Sequence, residues 1–154
     1  MIYKNIMVAI DGSSITEAVL HETIKLIKGN DKEINLRILS VIDETAINYS
    51  GGVFDYQGYF DACKEAGHNL LARAKEIITP HSTAKIETYL LELKPFGGRL
   101  SELIIKEAQA WPADLLILGT HGRRGFSRLI IGSVAENVLR LATMSVLLVR
   151  GKNV

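Results

Sequence analysis

The sequence predicts an α/β domain built on a doubly wound parallel sheet. The apolar runs Ile6–Ile10, Leu115–Leu118 and Val146–Val149 are continuous rather than alternating, as in strands covered on both faces. Stretches with apolar residues at spacings of three and four lie between the strand-like segments, so that strand and helix patterns alternate along the chain. At 154 residues and 47% hydrophobic composition, the chain suffices for one domain with a sizeable core and is too short for two ordinary ones. Residues 1–154 are therefore read as a single domain.

Taken in order, Ile6–Ile10 reads as a central strand, and Asp11-Gly12-Ser13-Ser14 turns the chain. Ser14 is expected to cap the following helix, with Glu17 three residues on completing a capping box. The helix carries Ile15, Ala18, Val19, Leu26 and Ile27 on one stripe and runs to about Lys28, where Gly29-Asn30 stops it. A second strand spans 34–42. The polar stretch 43–55, with Gly51-Gly52, is longer than a plain strand-to-helix connection needs. Tyr56, Tyr59, Phe60, Cys63, Gly67, Leu70, Leu71, Ala74, Ile77 and Ile78 then mark a long helical stripe ending before Pro80. Cys63 belongs to that stripe and is expected to be a buried thiol, while His68 lies off it and faces solvent.

Ile86, Thr88 and Leu90 alternate with Lys85, Glu87 and Tyr89, the pattern of an edge strand with one buried face. Residues 94–98 form a turn. Leu100, Leu103, Ile104, Ala108 and Trp111 make another helix, stopped by Pro112, with Trp111 packed at its end. Leu115–Leu118 is a central strand, Gly132-Ser133 opens a last helix to about Ala142, and Val146–Val149 closes the chain. Five strands alternate with four helices. Right-handed crossovers and the two central-looking strands, first and fourth, favour the sheet order 3-2-1-4-5. The order reverses between strands 1 and 4, and ligands of such sheets bind beyond the carboxyl ends of the strands at that reversal.

Charge and composition narrow the function. Lysine and arginine total 18 against 17 acidic residues, a net charge of +1 that gives no general pull toward nucleic acid or a membrane surface. One cysteine excludes an internal disulfide, and histidines at 21, 68, 81 and 121 lack zinc-ligand spacing. Ile6–Ile10 is too short for a signal sequence or a membrane span, so a cytoplasmic location is expected. The ligand signal is local: four of 13 glycines fall within residues 119–132, between the fourth strand and the last helix. Gly119, Gly122, Gly132 and Ser133 spell G-x2-G-x9-G-S, which is neither a P-loop nor a dinucleotide fingerprint. Gly119 and Gly122 let a ligand approach the strand end. Gly132, Ser133 and Val134 open a helix whose free N–H groups and positive dipole end suit phosphate oxygens. With Glu136, Ser133 also reads as a capping box for its own helix. Arg123 is the arginine nearest the glycine turn and the expected phosphate partner, with Arg124 and Arg128 solvated. His121 has no acidic partner identifiable in sequence and reads as a loop residue, and no Ser-His-Asp, Cys-His or paired-carboxylate arrangement stands out.

With that motif after the fourth strand, and with Val8-Ala9-Ile10-Asp11-Gly12-Ser13 as first strand and turn, the chain resembles the nucleotide-binding branch of the universal stress protein family over essentially its whole length. The resemblance implies an adenine nucleotide alpha hydrolase-like fold that binds ATP, or ADP or AMP, with Mg²⁺ as an accompanying ion. It implies that Ala9 and Val41 flank the adenine and that Asp11 meets the ribose or a metal–phosphate group. The function so implied is an ATP-binding regulatory module of the stress response, with no catalytic residue assigned. A slow ATPase using Asp11-held Mg²⁺ and Arg123, a nucleotide-free dimeric interaction domain, and a flavoprotein-like electron-transfer domain are the alternatives. Family resemblance and the uninterrupted apolar run of the edge strand both point to a homodimer through Val146–Val149. The 95–98 turn and the tyrosine-rich start of the second helix depart from the family's pattern, and either segment could cover the nucleotide mouth or meet a partner.

Overall fold

A computed structural model describes residues 3–29, 33–46, 55–121 and 131–151. Its elements are β1 (Asn5–Ala9), α1 (Thr16–Ile27), β2 (Asn35–Asp43), α2 (Tyr56–Ile78), β3 (Lys85–Leu93), α3 (Leu100–Ala110), β4 (Leu115–Gly119), α4 (Ser133–Leu141) and β5 (Ser145–Val149). Short 3₁₀ turns at Glu44–Ala46 and Thr79–His81 follow β2 and α2. The strands form one parallel sheet in the order β3-β2-β1-β4-β5, as the sequence predicts.

The continuous apolar runs arise because alternate residues of each inner strand enter different cores. Ile6, Val8, Leu36, Ile38, Leu115 and Ile117 meet Val19, Ile24 and Ile27 of α1 and Leu71, Ala74 and Ile78 of α2. Met7, Leu39, Leu116 and Leu118 meet Ile104, Ile105 and Ala108 of α3 and Ala135 and Val138 of α4. Each fully buried Leu or Ile contributes roughly 1.5–3 kcal/mol, so both faces hold the sheet. The Asp114 carboxylate accepts from the N–H groups of Lys4 (2.8 Å) and Asn5 (3.1 Å), which sets the starts of β1 and β4 level. Their carboxyl ends therefore emerge together.

Three local expectations are corrected. Helix α1 begins at Thr16 behind an Ile15 cap without a side-chain hydrogen bond, so Ser14 and Glu17 form no capping box. Instead, Asp11 Oδ1 accepts from Ser13 N–H at 2.9 Å, and the backbone bond from Thr16 N–H to Ser13 O (3.1 Å) winds one more turn before the helix. Helix α2 buries only Leu71, Ala74 and Ile78; Tyr59 is exposed, and Cys63 is half-buried rather than enclosed. Its first half lies against the upper part of the β3 edge, where Leu90 Cδ1 comes within 2.7 Å of the Cβ position of Gly67. At α4, Gly132 is the cap, Ser133 is the first helical residue, and Glu136 pairs with Arg140 (2.8 Å), so that capping box is absent too.

Arg37 joins β2, β3 and α3. Its guanidinium lies between the rings of Tyr89 (5.0 Å) and Trp111 (4.9 Å) and pairs with Glu107 (2.6 Å) and Glu87 (3.0 Å). Trp111 thus packs at the end of α3, where its place before Pro112 put it. Among the described residues no helix is long and apolar enough to cross a membrane.

Arg37 and Glu107 are both mostly covered, so removing one strands the other. Arg37→Ala should lower the unfolding free energy by about 1–3 kcal/mol. In a Glu107→Ala background the same change should lower it by less; equal losses in urea unfolding would show that the pair does not couple.

Candidate functional site

The reversal of strand order places the carboxyl ends of β1 and β4 side by side. After β1, Gly12 takes φ +77, a conformation that favours glycine, and lets the chain fold back on the Asp11 carboxylate. Asp11 is half-buried at the strand end and is engaged by the Ser13 N–H. The hydroxyls of Ser13 and Thr16 are buried and have no hydrogen-bond partner among the described residues.

After β4, two backbone bonds build the second half. Thr120 N–H donates to Val149 O (2.9 Å), continuing the ladder with β5, and Gly132 N–H donates to Thr120 O (2.7 Å), drawing the start of α4 onto the end of β4. That approach favours a glycine. Gly132 has ordinary φ, but a Cβ there would lie 3.1 Å from Thr120 O and 3.5 Å from His121 Cα. The first α4 bond runs from Glu136 N–H to Gly132 O (2.9 Å), which leaves the N–H groups of Ser133, Val134 and Ala135 without intrahelical acceptors and, among the described residues, without a side-chain cap. Ser133 is exposed there. Gly119 has a different reason to be glycine: a Cβ would fall 2.7 Å from Ile15 Cγ2 and 3.2 Å from His121 O, so its missing side chain seats the α1 cap.

The structure brings together most of the residues singled out by sequence. Ala9, Val41 and Val134 are all half-buried and pack on the same face, against the core shared with α3 and α4, while Asp11, Gly119, Gly132 and Ser133 line the adjoining strand ends and helix start. Gly122 and Arg123 lie outside the described residues, as do Arg124, Arg128, Gly51 and Gly52. A separate groove of about 430 Å³ between α1 and α2, lined by Gly12, Thr16, Leu70, Arg73 and Ile77, contains none of the predicted site residues. No cluster of three or more metal-ligating side chains occurs among the described residues.

Two constellations escape the sequence. One is the pair Thr120 and His121, with Thr120 Oγ1 and His121 Nδ1 3.0 Å apart and His121 Nε2 buried without a partner among the described residues. The other lies beyond Val41. Glu44, 5% exposed, accepts from the Tyr56 hydroxyl (2.8 Å) and from Lys94 Nζ (3.1 Å). Lys94 also pairs with Glu92 (3.0 Å) and sits 5.6 Å over the Phe60 ring. The Tyr56 hydrogen bond, aided by Lys94 and opposed by burial, holds the Glu44 carboxyl below its ordinary range. Glu92 and then Glu44 hold the Lys94 ammonium above its own, again against burial. The partners are 12 and 50 residues from Glu44, separations at which no spacing rule operates.

Known proteins share this architecture. The family model described as the universal stress protein family matches residues 2–150. A Staphylococcus aureus (strain USA300) protein, provisionally named a universal stress protein, is 36% identical over 148 residues, covering 96% of this chain and 84% of that one. Among solved structures, the protein MJ0577 is similar over 100% of both chains with a TM-score of 0.82 and 26% identity. Two further universal stress protein structures share the fold at 22% identity. One, in complex with cAMP, has a TM-score of 0.65 over 97% of this chain and 98% of its own. The other, from Archaeoglobus fulgidus in complex with dAMP, has a TM-score of 0.62 over 97% and 99%.

The Glu44 cluster ties the end of β2 to the start of α2 and should respond to pH. Because the folded carboxyl is depressed, its stabilisation is complete above the ordinary glutamate value of about 4.3 and is lost as pH falls through the lowered folded value. Raised Lys94 behaves oppositely: its contribution is complete below about 10.4 and is lost as pH rises through the folded value. Tyr56→Phe should return the Glu44 titration toward the ordinary range and lower stability by about 1–2 kcal/mol. Carboxyl-carbon NMR titration reads the first effect, and an unmoved Glu44 would refute it.

Proposed function

Because the chain belongs to the universal stress protein family, we propose that it binds an adenine nucleotide across the ends of β1 and β4 and acts as a nucleotide-dependent regulatory module in the cytoplasm. The observation that carries this reading is the open first turn of α4. Its uncapped N–H groups at Ser133, Val134 and Ala135 stand at the reversal of strand order, pinned there by the Gly132–Thr120 bond of 2.7 Å. Backbone donors and the helix dipole converge at such a terminus, and phosphate oxygens are the acceptors they suit.

The surroundings fit the rest of a nucleotide. Ala9 and Val41 offer small apolar surface on the same face as Val134, suited to flank a planar base, with main-chain groups near Val41 available to its edge. Asp11 at the end of β1 would accept from a ribose hydroxyl. It could instead serve as the single protein ligand of a Mg²⁺ ion whose other ligands are phosphate oxygens and water. Gly122 and Arg123 complete the phosphate side by the G-x2-G-x9-G-S motif. The cAMP and dAMP complexes of two structural neighbours support adenine as the common moiety; ATP is assigned on the motif.

The same reading includes a homodimer through β5. That strand is the sheet edge, Val146, Leu147 and Leu148 are only half-buried, and Leu139 and Leu141 at the end of α4 are 47% and 45% exposed. Pairing β5 with its copy about a two-fold axis would satisfy the open ladder and cover these side chains in one closed contact.

Titration calorimetry with ATP, ADP and AMP should detect binding to the wild-type protein. Ser133→Ala should weaken it several-fold without loss of stability, since the hydroxyl caps nothing among the described residues, and Gly132→Val should abolish it. Absence of binding at millimolar nucleotide would favour a nucleotide-free interaction domain. Light scattering at tens of micromolar should return a dimer mass that Leu147→Pro converts to monomer or insoluble protein; a monomeric wild type would exclude the β5 interface.

A further inference from the structure

The imidazole of His121 is held in one orientation with one nitrogen left over. Thr120 is 5% exposed, and its hydroxyl has His121 Nδ1, at 3.0 Å, as its partner among the described residues. In the neutral ring two arrangements are possible. If Nδ1–H donates to the hydroxyl, both the hydroxyl hydrogen and the Nε2 lone pair are left unsatisfied. If the hydroxyl donates to Nδ1, the ring hydrogen resides on Nε2 and a single group is left over. The second arrangement leaves fewer buried polar atoms unpaired and is the favoured one. It makes Nε2 a hydrogen-bond donor, buried and without an acceptor among the described residues.

The residue that carries this donor has its backbone beside the start of α4. Gly132 is bonded to Thr120 O at 2.7 Å, and a Cβ on Gly132 would be 3.5 Å from His121 Cα. A helix start that gathers the N–H groups of Ser133, Val134 and Ala135 thus has as backbone neighbour the residue that carries a buried side-chain N–H, and among the described residues none of these groups has an acceptor of its own. Donors of this number and kind call for an anionic oxygen rather than a hydroxyl, which would bring a hydrogen of its own.

Resting on the nucleotide reading above, we propose that His121 Nε2–H donates to a phosphate oxygen of the bound nucleotide, and that Thr120 is the positioning residue whose hydroxyl selects the donating tautomer. His121 is then a discriminator: it adds affinity for phosphorylated adenine ligands and none for the nucleoside.

Calorimetric titration with AMP and with adenosine, on wild type, His121→Ala, His121→Gln and Thr120→Val, separates the possibilities. His121→Ala should lose at least about tenfold in AMP affinity, the scale of a hydrogen bond to a charged group, while adenosine affinity stays unchanged. Gln carries a side-chain N–H donor of similar reach and should recover much of the loss. Long-range ¹⁵N–¹H spectra of the imidazole should show the Nε2–H tautomer in the free protein, a moved Nε2 resonance on adding AMP, and a mixed tautomer in Thr120→Val. Equal AMP affinity in wild type and His121→Ala, an Nδ1–H tautomer, or a parallel loss for AMP and adenosine would each overturn the assignment while leaving nucleotide binding intact. A wild type that binds neither ligand overturns the nucleotide reading itself, and this proposal with it.

Discussion

Every strand pairing in the sheet is parallel, so each connection must cross a face, and the helix it carries has to cover apolar residues there. Most of the molecule's organisation follows from that constraint. Helices α1 and α2 cover one face and α3 and α4 the other, which divides the core in two and places β1 and β4 at the centre with no exposed side. Winding outward in both directions from that centre forces the connections after β1 and β4 to leave toward opposite faces. The Asp11 carboxylate and the start of α4 stand at the strand ends where the two directions part.

Glycines at these strand ends serve packing. Gly119 yields to Ile15 and Gly132 to Thr120 O, and in each case the missing Cβ lets one backbone segment seat another. The approach of α4 to β4 is what leaves its first N–H groups ordered and uncapped. The hydroxyls of Ser13 and Thr16 and the Nε2 of His121 are buried with no hydrogen-bond partner among the described residues. The mouth beyond Val41 is built in the opposite way. Glu44, Tyr56, Lys94 and Glu92 satisfy one another, and their mutual bonds anchor the ends of the segment that joins β2 to α2.

Sequence by itself determined the fold class, the five strands and four helices, and the sheet order. Those properties are written in local periodicity and in which runs are apolar on both faces, and burial of such runs leaves few topologies. It also placed Ala9, Asp11, Val41, Gly132, Ser133 and Val134 near one end of the sheet, because residues at the carboxyl ends of strands are close whenever the strands are parallel neighbours.

Only the tertiary structure decided how the helix starts are made and which polar groups meet. Ser14 and Ser133 look like caps in a linear reading, yet Asp11 takes the turn before α1, and Gly132 takes the cap of α4 because Thr120 O already claims its N–H. The half-exposed state of Cys63 and Tyr59 reflects how much of α2 the narrow β3 edge can cover, a matter of sheet width that helical spacing does not encode. The Thr120 and His121 pair and the Glu44 cluster depend on side-chain direction and on contacts across as many as 50 residues. Periodicity reports which face of an element is apolar; the partner a polar atom finds on that face is set by the packing of several elements at once.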